Sequence, residues 1–167
     1  MQQFSLCHFH SLLLQTALSA NPKNPVGVNA TLKLTLERGL VLQDTDGTIA
    51  WLTNISSKSV PSLNLTNMKN LMLLDENNAT IWQSFDHPTT TLVVVQKLMA
   101  GQNLTSEEGL FLLSLTHEGL SAYINYNAPQ CYFCYNTSYC KTGYVQFQNQ
   151  SISFFEVDDD PSLGPKG

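Results

Sequence analysis

The sequence has few charged residues and no long hydrophobic run. Only 13% of its 167 residues are charged, and eight basic residues stand against thirteen acidic ones, for a formal net charge of −5. An acidic cluster lies at 158–160, and no basic surface is offered to a phosphate backbone, so nucleic acid is excluded as a partner. No run of 18 apolar residues occurs, so we expect no membrane-spanning segment in this chain.

Convincing amphipathic helix patterns are also missing. Short apolar or alternating runs bounded by turn residues recur instead, a pattern typical of β-strands. With 43% hydrophobic residues, the chain is long enough for one core of ordinary size. We predict an all-β protein with strands at 31–36, 40–43, 48–51, 63–65, 71–74, 80–82, 110–115, 120–124, 144–147 and 151–155.

Cysteine is scarce, with four residues in the chain. Cys131, Cys134 and Cys140 are the disulfide candidates, and these three can close only one bridge among themselves, with the pairing left open. A zinc site at Cys131 and Cys134 would need two further ligands, and only Cys140 and the distant His117 are available. We therefore predict no metal and no cofactor.

Catalytic patterns are equally poor. The pair Asp86-His87 precedes a proline, and no Ser or Cys stands in a recognisable nucleophile turn. Acidic clusters at 44–46 and 75–76 lack the alternating oxygen ligands of a calcium loop and are better interpreted as turn caps. We predict that the protein is not an enzyme.

Glycosylation sequons, in contrast, are abundant. Seven Asn-x-Ser/Thr sites occur, whereas chance at this composition predicts about 2.5, which indicates a secretory history. The first 20 residues resemble a signal peptide weakly, since small residues follow an apolar stretch but no basic region precedes it. The predicted glycosylation sites are Asn29, Asn54, Asn64, Asn78, Asn103, Asn136 and Asn149.

An internal repeat organises the first half of the chain. The segment 40–51 realigns with 71–82, so that Leu, Leu, Asp and Trp recur in register, and a fainter third copy begins at Gly119. Each unit is a strand, an acidic turn and a strand ending in Trp. Trp51 and Trp82 are candidates for sugar-stacking platforms, but we favour a shared core where the repeated sheets meet.

A tyrosine-rich segment at 132–135, with Tyr139 and Tyr144 nearby, has two interpretations. It is either an exposed binding patch or a disulfide-held hairpin that packs on the core. We favour the packed hairpin.

At this point the sequence resembles plant bulb-type (mannose-binding, monocot-type) lectin domains, as found in EP1-like glycoproteins and in ectodomains of S-locus and G-type lectin receptor-like kinases. The resemblance rests on SANPKNP at 19–25, GLVL at 39–42, DGTIAW at 46–51 and, most specifically, NNATIWQSFDHPT at 77–89. The chain departs from the family at Thr90, in place of Asp, and at Val94-Val95, in place of a Pro-Gly turn, where we expect the loop to take a different path.

The resemblance implies a β-prism II fold, with sheets around a pseudo-threefold axis, N-terminally truncated here and followed by the start of a second lectin-like region. The expected segments are a signal-like or unrelated stretch at 1–18, a bulb-type lectin domain at 19–103, a second β region at 104–157 and a linker-like tail at 158–167. Related lectins dimerise through C-terminal strands, so the sequence leaves open whether this chain forms a homodimer.

The resemblance also locates the sugar sites, which carry Gln-x-Asp-x-Asn-x-Val-x-Tyr in mannose-binding members. Alternation places these side chains on one strand face. Aligned copies are Thr35, Glu37, Gly39, Val41 and Gln43; then Thr66, Met68, Asn70, Met72 and Leu74; then Leu115, His117, Gly119, Ser121 and Tyr123. Most polar contacts are lost, and the residues that could still contact sugar are Glu37, Val41, Gln43, Asn70 and Tyr123.

A site without its hydrogen-bonding groups loses most of its sugar discrimination, because the sugar hydroxyls are desolvated without compensation. We therefore expect weak or absent mannose binding. The expected function is a non-catalytic extracellular recognition module for a protein or an atypical glycan, with a working lectin of altered specificity as the alternative. Expected locations are the cell wall, the apoplast or the lumenal part of a plasma-membrane receptor.

Overall fold

The chain folds into short antiparallel strands. The structure, a computed structural model, describes residues 20–21, 24–55, 58–137, 141–148 and 151–156. No α-helix occurs among these residues, and none of their helical segments is long and apolar enough to cross a membrane. The elements are β1 Thr31–Thr35, β2 Gly39–Gln43, β3 Ile49–Leu52, β4 Ser62–Leu65, β5 Leu71–Leu74, β6 Thr80–Gln83, a 3-10 helix Ser84–Asp86, β7 Lys97–Met99, β8 Asn103–Thr105, β9 Phe111–Thr116, β10 Gly119–Tyr126, β11 Ala128–Asn136, β12 Thr142–Gln148 and β13 Ser151–Glu156.

The predicted all-β class is confirmed, and each of the ten predicted strands is present to within about two residues at its ends. The sequence patterns missed β7, β8 and β11. The first two are only three residues long, and β11 is exposed along its whole length. Apolar patterning follows burial, so it cannot reveal a strand that buries neither face.

Two compact units divide the chain between His87 and Pro88. The first contains two three-stranded sheets, β1-β2-β3 and β4-β5-β6. The second contains a four-stranded sheet, β11-β10-β9-β8, and a three-stranded sheet, β13-β12-β7. The domain limit expected after residue 103 lies inside the second unit. The expected limits were drawn from the family resemblance, whereas the two units are defined by compactness. The expected limits therefore stay a prediction.

The 31-residue repeat is visible in the hydrogen bonds of the first unit. Thr53 Oγ1 accepts a hydrogen bond from the Leu40 amide at 3.1 Å. One repeat later, Ser84 Oγ accepts one from the Leu71 amide at 2.9 Å. The two sheets also share a register shift at the same point of their second hairpins, between Leu42 and Gln43 and one repeat later. The same local sequence therefore builds the same sheet twice.

The acidic clusters between the strands cap turns, as predicted. Asp44 Oδ1 accepts from the Thr45 amide at 2.7 Å, and Asp75 Oδ1 accepts from the Ala79 amide at 2.9 Å. Hydrogen bonds from the backbone and hydroxyl of Thr48 hold the pKa of the Asp46 carboxyl below its ordinary value of 3.8. These carboxylates thus stabilise the hairpin turns.

The two tryptophans form part of the core of the first unit, which confirms the interpretation favoured over sugar platforms. Trp82 is buried with Leu71 and Leu73, and Trp51 packs against this cluster. The two indole rings meet edge to face at 6.2 Å between centroids. His87 stacks on Trp82 at 5.2 Å, which gives this histidine a packing role.

The tyrosine-rich segment corrects one expectation. The side chains of Tyr132, Phe133 and Tyr135 are 59%, 49% and 49% exposed, so β11 does not bury them in the core. The strand lies at the edge of its sheet and pairs only with β10 among the described residues, although the Tyr135 ring contacts that of Phe154 in β13, at 4.9 Å between centroids. Tyr144 is buried as expected, whereas Tyr139 lies outside the described residues.

The predicted disulfide joins Cys131 and Cys134, and Cys140 lies outside the described residues. Residues three apart in a regular strand stand roughly 10 Å apart and point to opposite faces. A register shift of β11 against β10 at Tyr132 brings the two Cα atoms to 6.7 Å. The bulge is therefore what allows this bridge, and the bridge holds the bulge in place.

The Val94-Val95 pair occupies a tight turn, in which the Gln96 amide donates to the Val93 carbonyl at 3.0 Å. Val95 has φ +66°, a region that strongly disfavours β-branched residues.

We expect Val95→Gly to raise the free energy of unfolding by about 1 kcal/mol, because glycine relieves this strain. Urea unfolding measures the change, with Val94→Gly as the control that should lower stability. A lower stability for Val95→Gly would contradict the strained conformation.

Candidate functional site

A cleft of about 500 Å³ lies on the β1-β2-β3 sheet of the first unit. It coincides with the position at which the first of the three sugar-site copies is expected. Its walls combine apolar, hydroxyl, amide and charged side chains. The lining residues are Lys33, Thr35, Leu36, Glu37, Arg38, Val41, Gln43 and Ile49.

Strand alternation builds the floor of this cleft. Leu40 and Leu42 of β2 point into the core, so the intervening Val41 and the following Gln43 face the other side. Lys33 of β1 is the direct partner of Val41, and paired residues share a sheet face. The amphipathic pattern of one hairpin therefore supplies both the core and the cleft.

Local hydrogen bonds hold the rim of the cleft. Thr35 Oγ1 donates to the Gly39 carbonyl at 3.1 Å and accepts from the Arg38 amide at 3.2 Å, which fixes the turn at 36–38. Gln43 Nε2 donates to the Gly47 carbonyl at 2.8 Å, and its Oε1 lies 3.5 Å from Lys33 Nζ. The side chains of Thr35 and Gln43 are thus held before any ligand arrives.

Two cations and one carboxylate stand around this surface. Lys33, Glu37 and Arg38 are exposed to solvent. A second cavity of about 250 Å³ is lined by Leu36, Glu37, Lys58 and Ser59, so it shares two residues with the cleft. The cleft therefore carries a local positive excess, although the chain as a whole is acidic.

Of the first copy, Thr35, Glu37, Val41 and Gln43 all line the cleft, and their contact with a sugar stays a prediction. Gly39 is buried, and a Cβ at this position would collide with the Thr53 hydroxyl. It therefore permits the close packing beneath the cleft and offers no side chain to a ligand.

In the second copy, the Asn70 amide is used internally. Asn70 is buried, and its Nδ2 donates to Gln83 Oε1 at 2.9 Å. Its Oδ1 accepts from Ser84 Oγ and from the Phe85 amide, each at 3.2 Å. This amide fastens β5 to the 3-10 helix, so the geometry gives no support to the predicted sugar contact of Asn70.

The third copy has a different spacing. Thr116 Oγ1 donates to the Gly119 carbonyl at 3.4 Å, the counterpart of the Thr35 to Gly39 bond, so this turn is one residue shorter. Leu115 is consequently in the core of the second unit. His117 Nδ1 lies 3.0 Å from the Thr142 carbonyl, and Tyr123 is half-buried opposite Cys131. The five predicted positions do not form one face here.

The sugar-site motif missed four lining residues of the cleft: Lys33, Leu36, Arg38 and Ile49. A signal for two of them was available, since the alternation of β1 continues from Thr35 to Lys33, and Ile49 is the strand partner of Gln43. Leu36 and Arg38 belong to a turn, whose side-chain directions follow from tertiary contacts and not from the strand period.

The predicted glycosylation sites that the structure describes lie on the surface. Six sequon asparagines are exposed, and Asn149 lies outside the described residues. Asn29, Asn54 and Asn78 have positive φ, which is common for asparagine in turns. The exposed six are Asn29, Asn54, Asn64, Asn78, Asn103 and Asn136.

Comparison with known proteins identifies the class. Residues 19–114 match the family described as D-mannose binding lectin, and the chain belongs to this family. It carries a bulb-type lectin module of the kind found in carbohydrate-binding proteins.

Individual relatives come from plants. The chain is 38% identical over 103 residues to G-type lectin S-receptor-like serine/threonine-protein kinase At5g35370 of Arabidopsis thaliana, covering 61% of this chain and 12% of the relative. It is 35% identical over 115 residues to EP1-like glycoprotein 1 of the same species, covering 64% and 25%. Epidermis-specific secreted glycoprotein EP1 of Daucus carota is 40% identical over 89 residues, covering 53% and 23%.

Proposed function

We propose that this protein is a non-catalytic extracellular recognition module of lectin fold that binds an atypical glycan at the cleft of the first unit. The observation that carries the proposal is the coincidence of that cleft with the first sugar-site copy. The cleft has a volume of about 500 Å³, and its lining includes Thr35, Glu37, Val41 and Gln43 of this copy. A concave site with an apolar floor and a few fixed polar groups is the usual form of a small-ligand site.

The composition of the cleft argues against mannose. The family pattern expects Asp and Asn beside the apolar residue, whereas this chain has Glu37 and Gly39. The longer carboxylate and the missing amide remove the paired contacts that recognise sugar hydroxyls, and an unpaired hydroxyl weakens binding. The other two copies do not compensate, since Asn70 is used internally and the third copy is split.

A glycan array of the full secreted chain tests the proposal. We expect binding that free mannose does not compete away and that Ile49→Ala lowers by about tenfold, because the substitution removes part of the apolar wall. Ile152→Ala is the matched control: Ile49 and Ile152 are 41% and 48% exposed, and Ile152 lies in β13 of the second unit.

Two outcomes would contradict the proposal. Binding competed by free mannose would mean that a mannose site works despite its altered residues. Equal losses for Ile49→Ala and Ile152→Ala, with unchanged melting temperatures, would place the ligand away from the cleft.

The proposed location is the secretory pathway, in the cell wall, the apoplast or the outer part of a membrane receptor. Six exposed sequon asparagines and the disulfide in β11 fit an oxidising, glycosylating compartment. The chain covers at most a quarter of the lengths of At5g35370 and of EP1-like glycoprotein 1, so whole-protein activities do not transfer to it. Mass spectrometry before and after enzymatic deglycosylation of the secreted chain measures sequon occupancy.

Protein binding is the second candidate, and strand β11 favours it. This edge strand exposes Tyr132, Phe133 and Tyr135 and carries no charged residue over 128–136. An extended peptide can add to such an edge through its backbone hydrogen bonds. Ligand binding that is lost on mutation of β11 and insensitive to Ile49→Ala would favour this second function.

A further inference from the structure

The cleft of the first unit concentrates positive charge in a unit that is otherwise acidic. Among its described residues (20–21, 24–55 and 58–87), three of the four basic side chains line the cleft or the adjoining cavity. Glu37 is the single acidic residue in either lining. The basic residues at these cavities are Lys33, Arg38 and Lys58, the fourth basic residue is Lys69, and the acids elsewhere are Asp44, Asp46, Asp75, Glu76 and Asp86.

Four of the five acids elsewhere are already engaged in the fold, which sharpens this contrast. Asp44, Asp46 and Asp75 accept backbone hydrogen bonds in the hairpin turns, and Gln83 Nε2 donates to Asp86 at 2.9 Å. The Arg38 guanidinium, by comparison, makes no hydrogen bond or ion pair within the described part of the chain. A cation that the fold does not use is available to a ligand.

We propose that the cleft recognises a carboxylated glycan, a chain of uronic acid residues, and this inference rests on the proposed glycan-binding function. The planar guanidinium of Arg38 matches a carboxylate in two parallel hydrogen bonds, and Lys33 adds a second positive charge on the same surface. Leu36 and Ile49, which are 60% and 41% exposed, supply apolar area for the C–H face of a sugar ring. Neutral mannose has no carboxylate with which either cation could form an ion pair.

The second cavity extends the inference from one sugar to several. It shares Leu36 and Glu37 with the cleft and adds Lys58. A chain with a carboxylate on each sugar can place successive charges near Arg38 and Lys58, whereas a single uronic acid reaches only one of the two cavities. We therefore expect affinity to rise with chain length up to a few sugars.

Isothermal titration of the full secreted chain with a galacturonic acid hexamer provides the test. The comparison ligands are its methyl-esterified form, which is neutral, a mannose hexamer, and polyglutamate, which has carboxylates but no sugar rings. We expect the free-acid hexamer to bind at least about tenfold more tightly than the ester, with an affinity that falls as salt rises.

Charge-neutralising variants locate the contact. Arg38→Gln and Lys33→Gln should each weaken hexamer binding by about tenfold, because each removes a charge-assisted hydrogen bond. Glu37→Gln should strengthen it about two- to threefold by removing a repulsive charge. Lys69→Gln is the matched control, since it makes the same change outside both linings. All four positions lie in strands or turns with solvent access, and melting temperatures check folding.

The outcomes separate this inference from the proposed function. Binding of a neutral hexamer that Ile49→Ala weakens and Arg38→Gln leaves unchanged would overturn the acidic ligand and keep the glycan site. Equal binding of polyglutamate would overturn it as well, since charge without a sugar would suffice. If no glycan binds the folded chain, both the inference of an acidic glycan and the proposed glycan-binding function are contradicted.

Discussion

Leu73→Ala is expected to lower the free energy of unfolding of the first unit by about 3–4 kcal/mol, because it leaves a cavity where two repeats share one core. The Leu73 side chain has no exposed surface and packs with Leu40, Leu71, Val60 and Trp82. Urea or thermal unfolding of the secreted chain measures the loss, with intrinsic tryptophan fluorescence reporting on this unit.

Leu63→Ala is the matched control. Leu63 is the direct strand partner of Leu73 on β4 but is 46% exposed. Its truncation removes the same atoms from a wetter site, and we expect a loss of about 1 kcal/mol. Similar losses at both positions would contradict the difference in burial between Leu73 and Leu63.

Gly119→Ala is expected to cost about 3 kcal/mol or more and to disrupt the pairing of β10 with β11. Gly119 has φ +141°, and a Cβ there would collide with the backbone carbonyl of Tyr135. Backbone cannot rotate away as a side chain can, so the methyl group must force the strands apart. Hydrogen exchange of the β10 and β11 amides together with the unfolding free energy measures the effect.

Gly109→Ala separates conformational strain from collision. Gly109 has φ +73°, and a Cβ at this position meets nothing within 4 Å. We expect a cost of only about 1 kcal/mol, which is the conformational cost of a left-handed alanine. If the two variants proved equally stable, the close approach of Tyr135 to Gly119 would be refuted.

The positions of the glycosylation sites bear on the proposed ligand site. None of the six described sequon asparagines lines the cleft, although Asn29, Asn54, Asn64 and Asn78 are exposed on the same unit. Glycans on this unit are therefore attached at residues outside the cleft lining. The charge variants are consequently best compared in the glycosylated, secreted protein.

Particular strands show how much of the fold follows from the sequence. The segment Leu71–Leu74 alternates side chains between the core and the opposite face, and its bounds agree with the prediction. The recurrence of Leu, Asp and Trp also predicted the two equivalent sheets, because identical local patterns bury identical faces. By contrast, β11 is exposed along its whole length, and its Tyr132 and Phe133 were mistaken for core.

The functional site divides in the same way. Sequence alone placed Val41 and Gln43 on one strand face, since this depends only on a period of two residues. Tertiary structure decided the fate of Asn70, because whether its amide faces a ligand or binds Ser84 and Phe85 depends on where the next segment packs. It also decided that Lys33 and Arg38 share a cleft, since one lies on a strand and the other in a turn. Local sequence thus determined the strands and their faces, and only the packing of turns against them determined which charges meet.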